Sequence, residues 1–594
     1  MEDLRKLEEY YDGVLQLVTL HLINSYGAVE ETDKEFNDRN YPKAFRIKLN
    51  EESIEIIIAI PYNYPDSFPK VVIPEPYFSE LYPIPHLDAE QVLCTFDSDQ
   101  AHPNAVDPIG VIKEIIQKAH QLIYTGKNKL NITEYMDEFE SYWGQESTNQ
   151  YLSLIKLTDD PKIIEAISFH HPSWGNQLLF ADSRVDGQRW ILQVGGKIYD
   201  KRKKALYLPL QSIGIPPFPR NNRELLQRLR SFSRDSLKTL LKFLDRDKRP
   251  STIVFSIPYG NSKVIGVWEH GENILISTSA FKGKKKKKTG LKGFRPGSKN
   301  ALLELTRDFG ELKLLKHTIK RVDKDYLFIR GGDGNVESGL RVGIVGCGSV
   351  GSHIARSLAD IGVEEFLFVD KDILTFDNIA RHVCGASDVG KKKVDALQKM
   401  ITSHFPNCEV ACYPEDILKL LVSYESILNN CDFSVVAVGH LPTEFRINKL
   451  IQERIIEKPI LFVWVEPYLA GAHAVWIDPT KNGCFQCLFD EQHRFIQSVL
   501  SNPGEFTKRE AGCQSTFVPY GALELKRFIN DLMLFLRDAL SGKVQENTIF
   551  TWLGNLKEQR LNKRKISSMW VAADSYSVRI RTIRERTNCK GCLN

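Results

Sequence analysis

The sequence predicts a multidomain protein in three parts. These are an α+β domain over residues 1–150, a mixed α/β middle over 151–335 and an α/β domain with a largely parallel sheet over 336–594. Three observations predict it. A helix, antiparallel strands, an irregular loop and further helices follow one another in the first 150 residues. A strand, a glycine-rich turn, a helix and a second strand begin at residue 340. Two C-x-x-C pairs, far apart in sequence, bracket the last 111 residues from Cys484 on.

The first part opens on an amphipathic pattern (Leu4, Leu7, Tyr11, Leu15, Val18, Leu22). AFRIKLN, SIEIIIAI and KVVIP read as strands, a proline-rich stretch runs from Pro61 to Pro85, and helical patterns cover Ile109–Tyr124 and Ile132–Trp143. In the middle part ILQVGGKIY, TIVFSIPY, KVIGVWEHG and NILISTSAF read as strands and Asn222–Asp245 as a helix. Lys282–Lys288, six lysines in seven residues, reads as a solvated loop before an anion site. The run GGDGNVESG leads into the third part. There RVGIVG, EEFLFVD, CDFSVVAVG and ILFVWVEP are buried strands, and the first two with the helix between them form a right-handed βαβ unit.

Composition excludes several classes. Lys+Arg is 79 and Asp+Glu is 75, a net charge of +4 that fits neither a basic nucleic-acid coat nor an acidic tail, so no specific nucleic-acid partner is expected. The longest apolar stretch, Pro459–Ile477, carries Glu466, Pro467, Gly471 and His473 and reads as two strands and a turn rather than a membrane span. The N-terminus is acidic from residue 2, unlike a leader peptide, and the eleven cysteines are expected as reduced thiols in a cytoplasmic protein.

Gly346, Gly348 and Gly351 make G-x-G-x-x-G between a strand and a helix, where backbone N–H groups can meet a phosphate. Asp370 ends the next strand, nineteen residues on, where a carboxylate can accept ribose hydroxyls. That alone suits NAD. Asp372, Asn378, Arg381 and Lys393 follow closely, and a guanidinium with an ammonium beyond the turn suits a triphosphate and its departing pyrophosphate; the bland alternative is loop surface charge. GIVGCGSVG, VDKDILTFDNIARH and GKKKV resemble the ubiquitin-activating, ThiF/MoeB-type adenylation fold, which is Rossmann-like and uses ATP with Mg²⁺. The resemblance implies that Asp370 holds ribose, that Arg381 and Lys393 hold phosphates and that Asn378 supports them. It implies an arginine upstream of the turn, often given across a homodimer, for which Arg321 and Arg330 are the candidates. An acid serving Mg²⁺ is expected where this chain has Gly439, with Asp372 and Glu466 as possible substitutes.

Cys484-x-x-Cys487 and Cys589-x-x-Cys592 can give four thiolates to one tetrahedral zinc, a closed structural site that the ThiF/MoeB resemblance also implies. Of the rest, Cys347, Cys384, Cys408, Cys412 and Cys431 read as packing residues, which leaves two. Cys513, in REAGCQSTFVPYGALELKRF, precedes a helix expected near Pro519 and lies near Arg509, both favouring thiolate; in the activating family this segment carries the catalytic thiol. Tyr64-Pro65, Pro69, His86 and Cys94 resemble the ubiquitin-conjugating fold, with His86-Leu87-Asp88 where that family has His-Pro-Asn. An ionised Asp88 cannot donate to an oxyanion. A literal His102-Pro103-Asn104 follows the cysteine, and His102 is either an activating group or a lone surface histidine.

The fused order resembles bacterial CBASS antiphage ubiquitin-transferase-like proteins. It implies adenylation of a partner's C-terminal carboxylate, that partner being a cGAS/DncV-like nucleotidyltransferase, then capture on Cys513, transfer to Cys94 and amide formation with a target lysine or other amine. The competing readings are a sulfur-carrier activator, which needs no Cys94, a binding scaffold, and an NAD oxidoreductase.

Overall fold

The computed structural model describes residues 2–32, 40–49, 54–97, 100–131, 133–137, 139–144, 147, 149–199, 203–246, 251–260, 262–270, 310–332, 339–506, 508–509, 516–587 and 589–592. Cys513, the Lys282–Lys288 run, the NILISTSAF segment and most of the GGDGNVESG run lie outside them. The chain forms two compact units: residues 1–168, 177–183 and 201–320 in one, and residues 169–176, 184–200 and 321–594 in the other.

In the first unit the helix Glu2–Tyr26 buries Val14, Val18 and Leu22, spaced by four, over a five-stranded antiparallel sheet running in chain order from Val29–Glu30 to Val92–Leu93. Strand Ile54–Ile60 is apolar at nearly every position because both faces are covered. Ile56 and Ile58 face the helices, while Ile57 and Ala59 pack with Ala44 and Val72. Asp107 caps the helix Pro108–Lys127 by accepting from Gly110 N at 2.8 Å. The region expected as one closing helix is two short pieces, Glu134–Asp137 and Phe139–Gly144. Their aromatic residues pack into the following sheet, where Trp143 Nε1 donates to Val267 O at 2.9 Å. In that sheet Ser251–Tyr259 pairs in parallel with Lys203–Pro209 and antiparallel with Ser262–His270. The helix expected over Asn222–Asp245 is broken at Ser233, whose hydroxyl accepts from Gln211 N and Ser212 N, giving helices Asn222–Phe232 and Arg234–Arg246.

The second unit is built on an eight-stranded sheet. Strands Glu409–Tyr413, Glu365–Val369, Arg341–Val345, Phe433–Val436 and Ile460–Val465 lie side by side and parallel. Gly471–Ile477, Thr548–Leu553 and Val578–Thr582 continue it antiparallel. The stretch Pro459–Ile477 is thus two buried strands and a turn, as its polar interruptions predict. Helices Ser349–Asp360 and Ala522–Leu540 share one core with the sheet. Strand order reverses beside Arg341–Val345, so a crevice opens at its C-terminal end. No helix among the described residues is long and apolar enough to cross a membrane.

Candidate nucleotide cleft and thiol sites

The crevice is a cleft of about 430 Å³ lined by Gly346, Gly348, Asp370, Asp372 and Lys393, among others. Two glycines are required here by space. Gly346 has φ +91° and a Cβ there would meet Ala437 O at 2.6 Å; a Cβ on Gly351 would meet Gly346 O at 1.9 Å. The turn therefore closes against the next strand and its helix packs tightly. Asp370 accepts from Cys347 N at 2.7 Å and from Asp372 N at 2.8 Å, which aims its carboxylate at the turn. Lys393 Nζ pairs with Asp372 at 2.8 Å, and Lys393 N donates to Asp372 O at 3.0 Å, so the two segments meet at the cleft.

The structure separates the other candidates. Asn378 Oδ1 accepts from Thr375 N and Oγ1 at 3.1 and 3.2 Å and so builds the turn after Asp372. Arg381 does not line the cleft: its Nη1 donates to Val518 O at 3.0 Å and its guanidinium lies 4.7 Å from the centre of the Tyr520 ring. Arg321 is held bidentately by Asp323 at 2.7 Å and faces Tyr326, while Arg330 is exposed in the last turn of helix Lys324–Gly331. Of the two substitutes for the acid at Gly439, Asp372 is in the cleft. Glu466 is buried and its two oxygens meet Val499 N, Leu500 N and His473, so both are engaged by the fold. Cys347 is buried, and burial with the Asp370 charge pushes its thiol well up, a packing residue as expected.

Sequence reasoning missed one wall of the cleft: Glu415, Asp416, Ile417 and Leu418 after the third parallel strand, and His440 with Thr443, joined at 2.8 Å. Strand-end position was the available signal, because ligands of such sheets gather there. It also missed Glu444, 5% exposed, whose carboxyl is pushed up to about 7 by burial. Its ordinary value is 4.5, so the folded state holds a proton that the unfolded chain gives up between pH 4.5 and about 7. Stability therefore falls as pH rises through that window, by at most about 3 kcal/mol. Glu444→Gln is expected to flatten this dependence, read as a smaller drop in Tm between pH 5 and pH 8 than in the parent; equal drops would remove the assignment.

In the first unit Cys94 is exposed just past strand Val92–Leu93, and its N–H donates to His86 O at 2.8 Å. Phe68 and Phe96 stack at 4.9 Å in this region, and the Tyr64 hydroxyl donates to Pro108 O. Asp88 Oδ1 accepts from Glu90 N and Val92 N at 2.9 and 2.8 Å, so it shapes the turn that leads to Cys94. His86 pairs with Glu134 at 3.3 Å. His102 is exposed in the loop before helix Pro108–Lys127.

Cys484, Cys487, Cys589 and Cys592 converge with all Sγ atoms within 4.8 Å, a cluster that could hold a metal ion. The Cys484 thiol is pushed far up by its hydrogen bond with Cys487 and by burial, and Cys592 is pushed up to about 12, chiefly by burial. Four thiolates cannot share this space without a cation.

Residues 332–591 match the ThiF family and residues 27–152 match Prokaryotic E2 family B. The chain thus joins a region similar to prokaryotic E2 proteins to a region similar to ThiF proteins, and it resembles Cap2-type proteins. Several relatives bear the name "ATP-dependent ubiquitin transferase-like protein Cap2". One from Pseudomonas aeruginosa is 25% identical over 36% of this chain and 38% of its own length. One from Escherichia coli is 20% identical over 76% and 79%. One from Vibrio cholerae is 26% identical over 34% and 36%. The match thus spans well under half of the first and third of these relatives.

Proposed function

We propose that the chain is an ATP-dependent ubiquitin-like transferase. It would adenylate a partner's C-terminal carboxylate, capture it on Cys513, pass it to Cys94 and join it to a target lysine or other amine. The observation that carries this is the pairing, in one chain, of a strand-end cleft of about 430 Å³ lined by the glycine turn, Asp370 and Lys393 with an exposed Cys94 in an E2-like region. The carboxylate attacks the α-phosphate, and pyrophosphate leaves with the electron pair of the broken P–O bond. Lys393 would stabilise the charge that develops on it, and Asp370 would accept from the ribose. Asp370 and Asp372, carboxylates of the cleft, would hold the Mg²⁺ that accompanies ATP and offsets its phosphate charge. The Cys513 thiolate then forms a C–S bond as AMP departs. Exchange to the Cys94 thiolate is nearly isoenergetic, so activation survives until an amine attacks.

The CBASS setting, a cGAS/DncV-like nucleotidyltransferase as donor, a homodimer and a cytoplasmic location belong to the same reading and rest on the sequence resemblance alone. The test is ATP–pyrophosphate exchange with candidate C-terminal peptides, followed by non-reducing gels; no exchange with any donor would refute it.

The metal of the cysteine cluster is read as zinc. Sγ–Sγ separations of 3.4, 3.6 and 3.9 Å support it. Thiolates about 2.3 Å from zinc stand about 3.8 Å apart in a tetrahedron. With four protein ligands no position is open to substrate. One zinc per chain is expected from metal analysis, and chelation should expose residues 589–592 to proteolysis before exchange is affected. Fresh protein without zinc would sink the assignment.

A further inference from the structure

Helix Leu441–Gln452 buries Glu444, Ile447, Asn448 and Ile451, spaced as one helical face. Ile447 and Ile451 share a core with Cys484, Phe485 and Cys487. Asn448, between them in sequence, is a polar residue on that apolar face and is 0% exposed. A buried amide needs partners for its oxygen and for its NH₂ group. Phe485 N donates to Asn448 Oδ1 at 3.0 Å, which fixes the amide's orientation, because a flip would set N–H against N–H. Asn448 Nδ2 is thereby turned the other way, and among the described residues it has no hydrogen-bond partner.

Gly591, inside the second C-x-x-C pair, shows what that nitrogen faces. A Cβ on Gly591 would stand 2.9 Å from Cys484 Sγ and 3.0 Å from Asn448 Nδ2, and would also strike Gln486 Oε1. The amide nitrogen and the thiol sulfur therefore border one small space that glycine leaves open. The two cysteines of the first pair differ in what else supports them. Backbone N–H groups of Cys484 and Arg586 serve Cys487. The leading influences on Cys484 are its hydrogen bond with Cys487, burial and the charges of the other three thiols, with no backbone donor among them. Cys484 is also 0% exposed, so bulk water does not reach it. Four thiolates around one divalent cation keep a net negative charge, and a buried anion of that kind needs N–H donors.

We infer that Asn448 is a positioning residue of the metal site, its Nδ2–H donating to the Cys484 thiolate once the four sulfurs are ionised around the metal. This rests on the zinc reading of the cluster. The oxygen of the same amide holds Phe485 N, next in the chain to Cys484, so one side chain orients the backbone of the first pair and stabilises its charge. An aspartate at 448 could do only the first.

The test uses the full-length protein at mildly alkaline pH. Zinc affinity is measured by competition with a metallochromic chelator, and cobalt is exchanged for zinc to read the sulfur-to-metal charge-transfer band. Asn448→Asp keeps an acceptor for Phe485 N, and Asn448→Leu keeps neither group. Each is expected to weaken zinc binding about 10–100-fold and to move the cobalt band to lower energy, because a thiolate that loses a donor holds its electrons less tightly. Weaker binding in Asn448→Leu alone would overturn the inference, since holding Phe485 N would then be the whole role. Weaker binding in Asn448→Asp alone would overturn it as well, as mere repulsion between carboxylate and thiolates. So would parent-like affinity in both, or weaker binding with an unshifted band. Should Asn448→Leu not fold, the affinity and band of Asn448→Asp decide the matter. A parent protein that holds neither zinc nor cobalt would fail the zinc reading itself, whereas a parent that binds both and is matched by its variants fails this inference alone.

Discussion

Replacing Lys393 with alanine is expected to lower ATP–pyrophosphate exchange by about 10²–10³-fold, the loss of one preorganised charge from a transition state that releases pyrophosphate. Lys393 is the cation suited to this because its side chain is only 11% exposed yet lines the cleft, with Asp372 as its partner at 2.8 Å. The two charges neutralise each other, and on the proposed reading an arriving triphosphate would compete with Asp372 for the ammonium. The pair is half open to water through Asp372, so its loss should cost no more than about 1 kcal/mol of stability. The effect is expected in kcat more than in KM for ATP, because the charge it meets grows as the P–O bond breaks. Exchange within twofold of the parent, in a variant with unchanged Tm, would remove Lys393 from the phosphate site and with it the triphosphate reading.

The parts of this site legible in the sequence were those where one local rule admits one residue type. Gly346 and Gly351 are such positions, since a Cβ would strike backbone, and Asp370 is tied to them by a set distance along a βαβ unit. The C-x-x-C pairs were legible because metal-ligand spacing is rarely accidental. What escaped depended on long-range partners. Glu466 looked available to a metal, but Val499 and Leu500 N–H groups, over thirty residues on, occupy it. The contacts that Arg381 makes, with Val518 O and the Tyr520 ring, lie 137 residues or more away and no local pattern announces them. Glu415 and Asp416 went unnoticed because nothing nearby in sequence says that their strand ends at the cleft. The break at Ser233 needed the hydroxyl's partners at Gln211 and Ser212, which helical periodicity does not encode.

Replacing Cys94 with alanine is expected to stop conjugation while sparing adenylation and the loading of Cys513. Cys94 is the first cysteine in the chain and the next is Cys347, so the E2-type domain has no other thiol to take over. Its exposure lets an incoming thioester reach it, and its N–H bond to His86 O holds the backbone beside it. Asp88, already accepting two N–H groups, shapes that turn and is not a donor to an oxyanion. A purely structural cysteine here predicts the opposite pattern: an exposed side chain lost, stability within about 0.5 kcal/mol and products unchanged. The relay predicts acyl protein accumulating on Cys513, visible as a band that a thiol reductant removes, and no amide product. Cys94→Lys separates the two further, since an amine at that position would take the acyl group as an amide that reductant cannot cleave. Cys513→Ala should abolish that trapped product while leaving pyrophosphate exchange intact. Abundant target conjugates from the Cys94→Ala protein would refute the relay and assign the whole reaction to the ThiF domain.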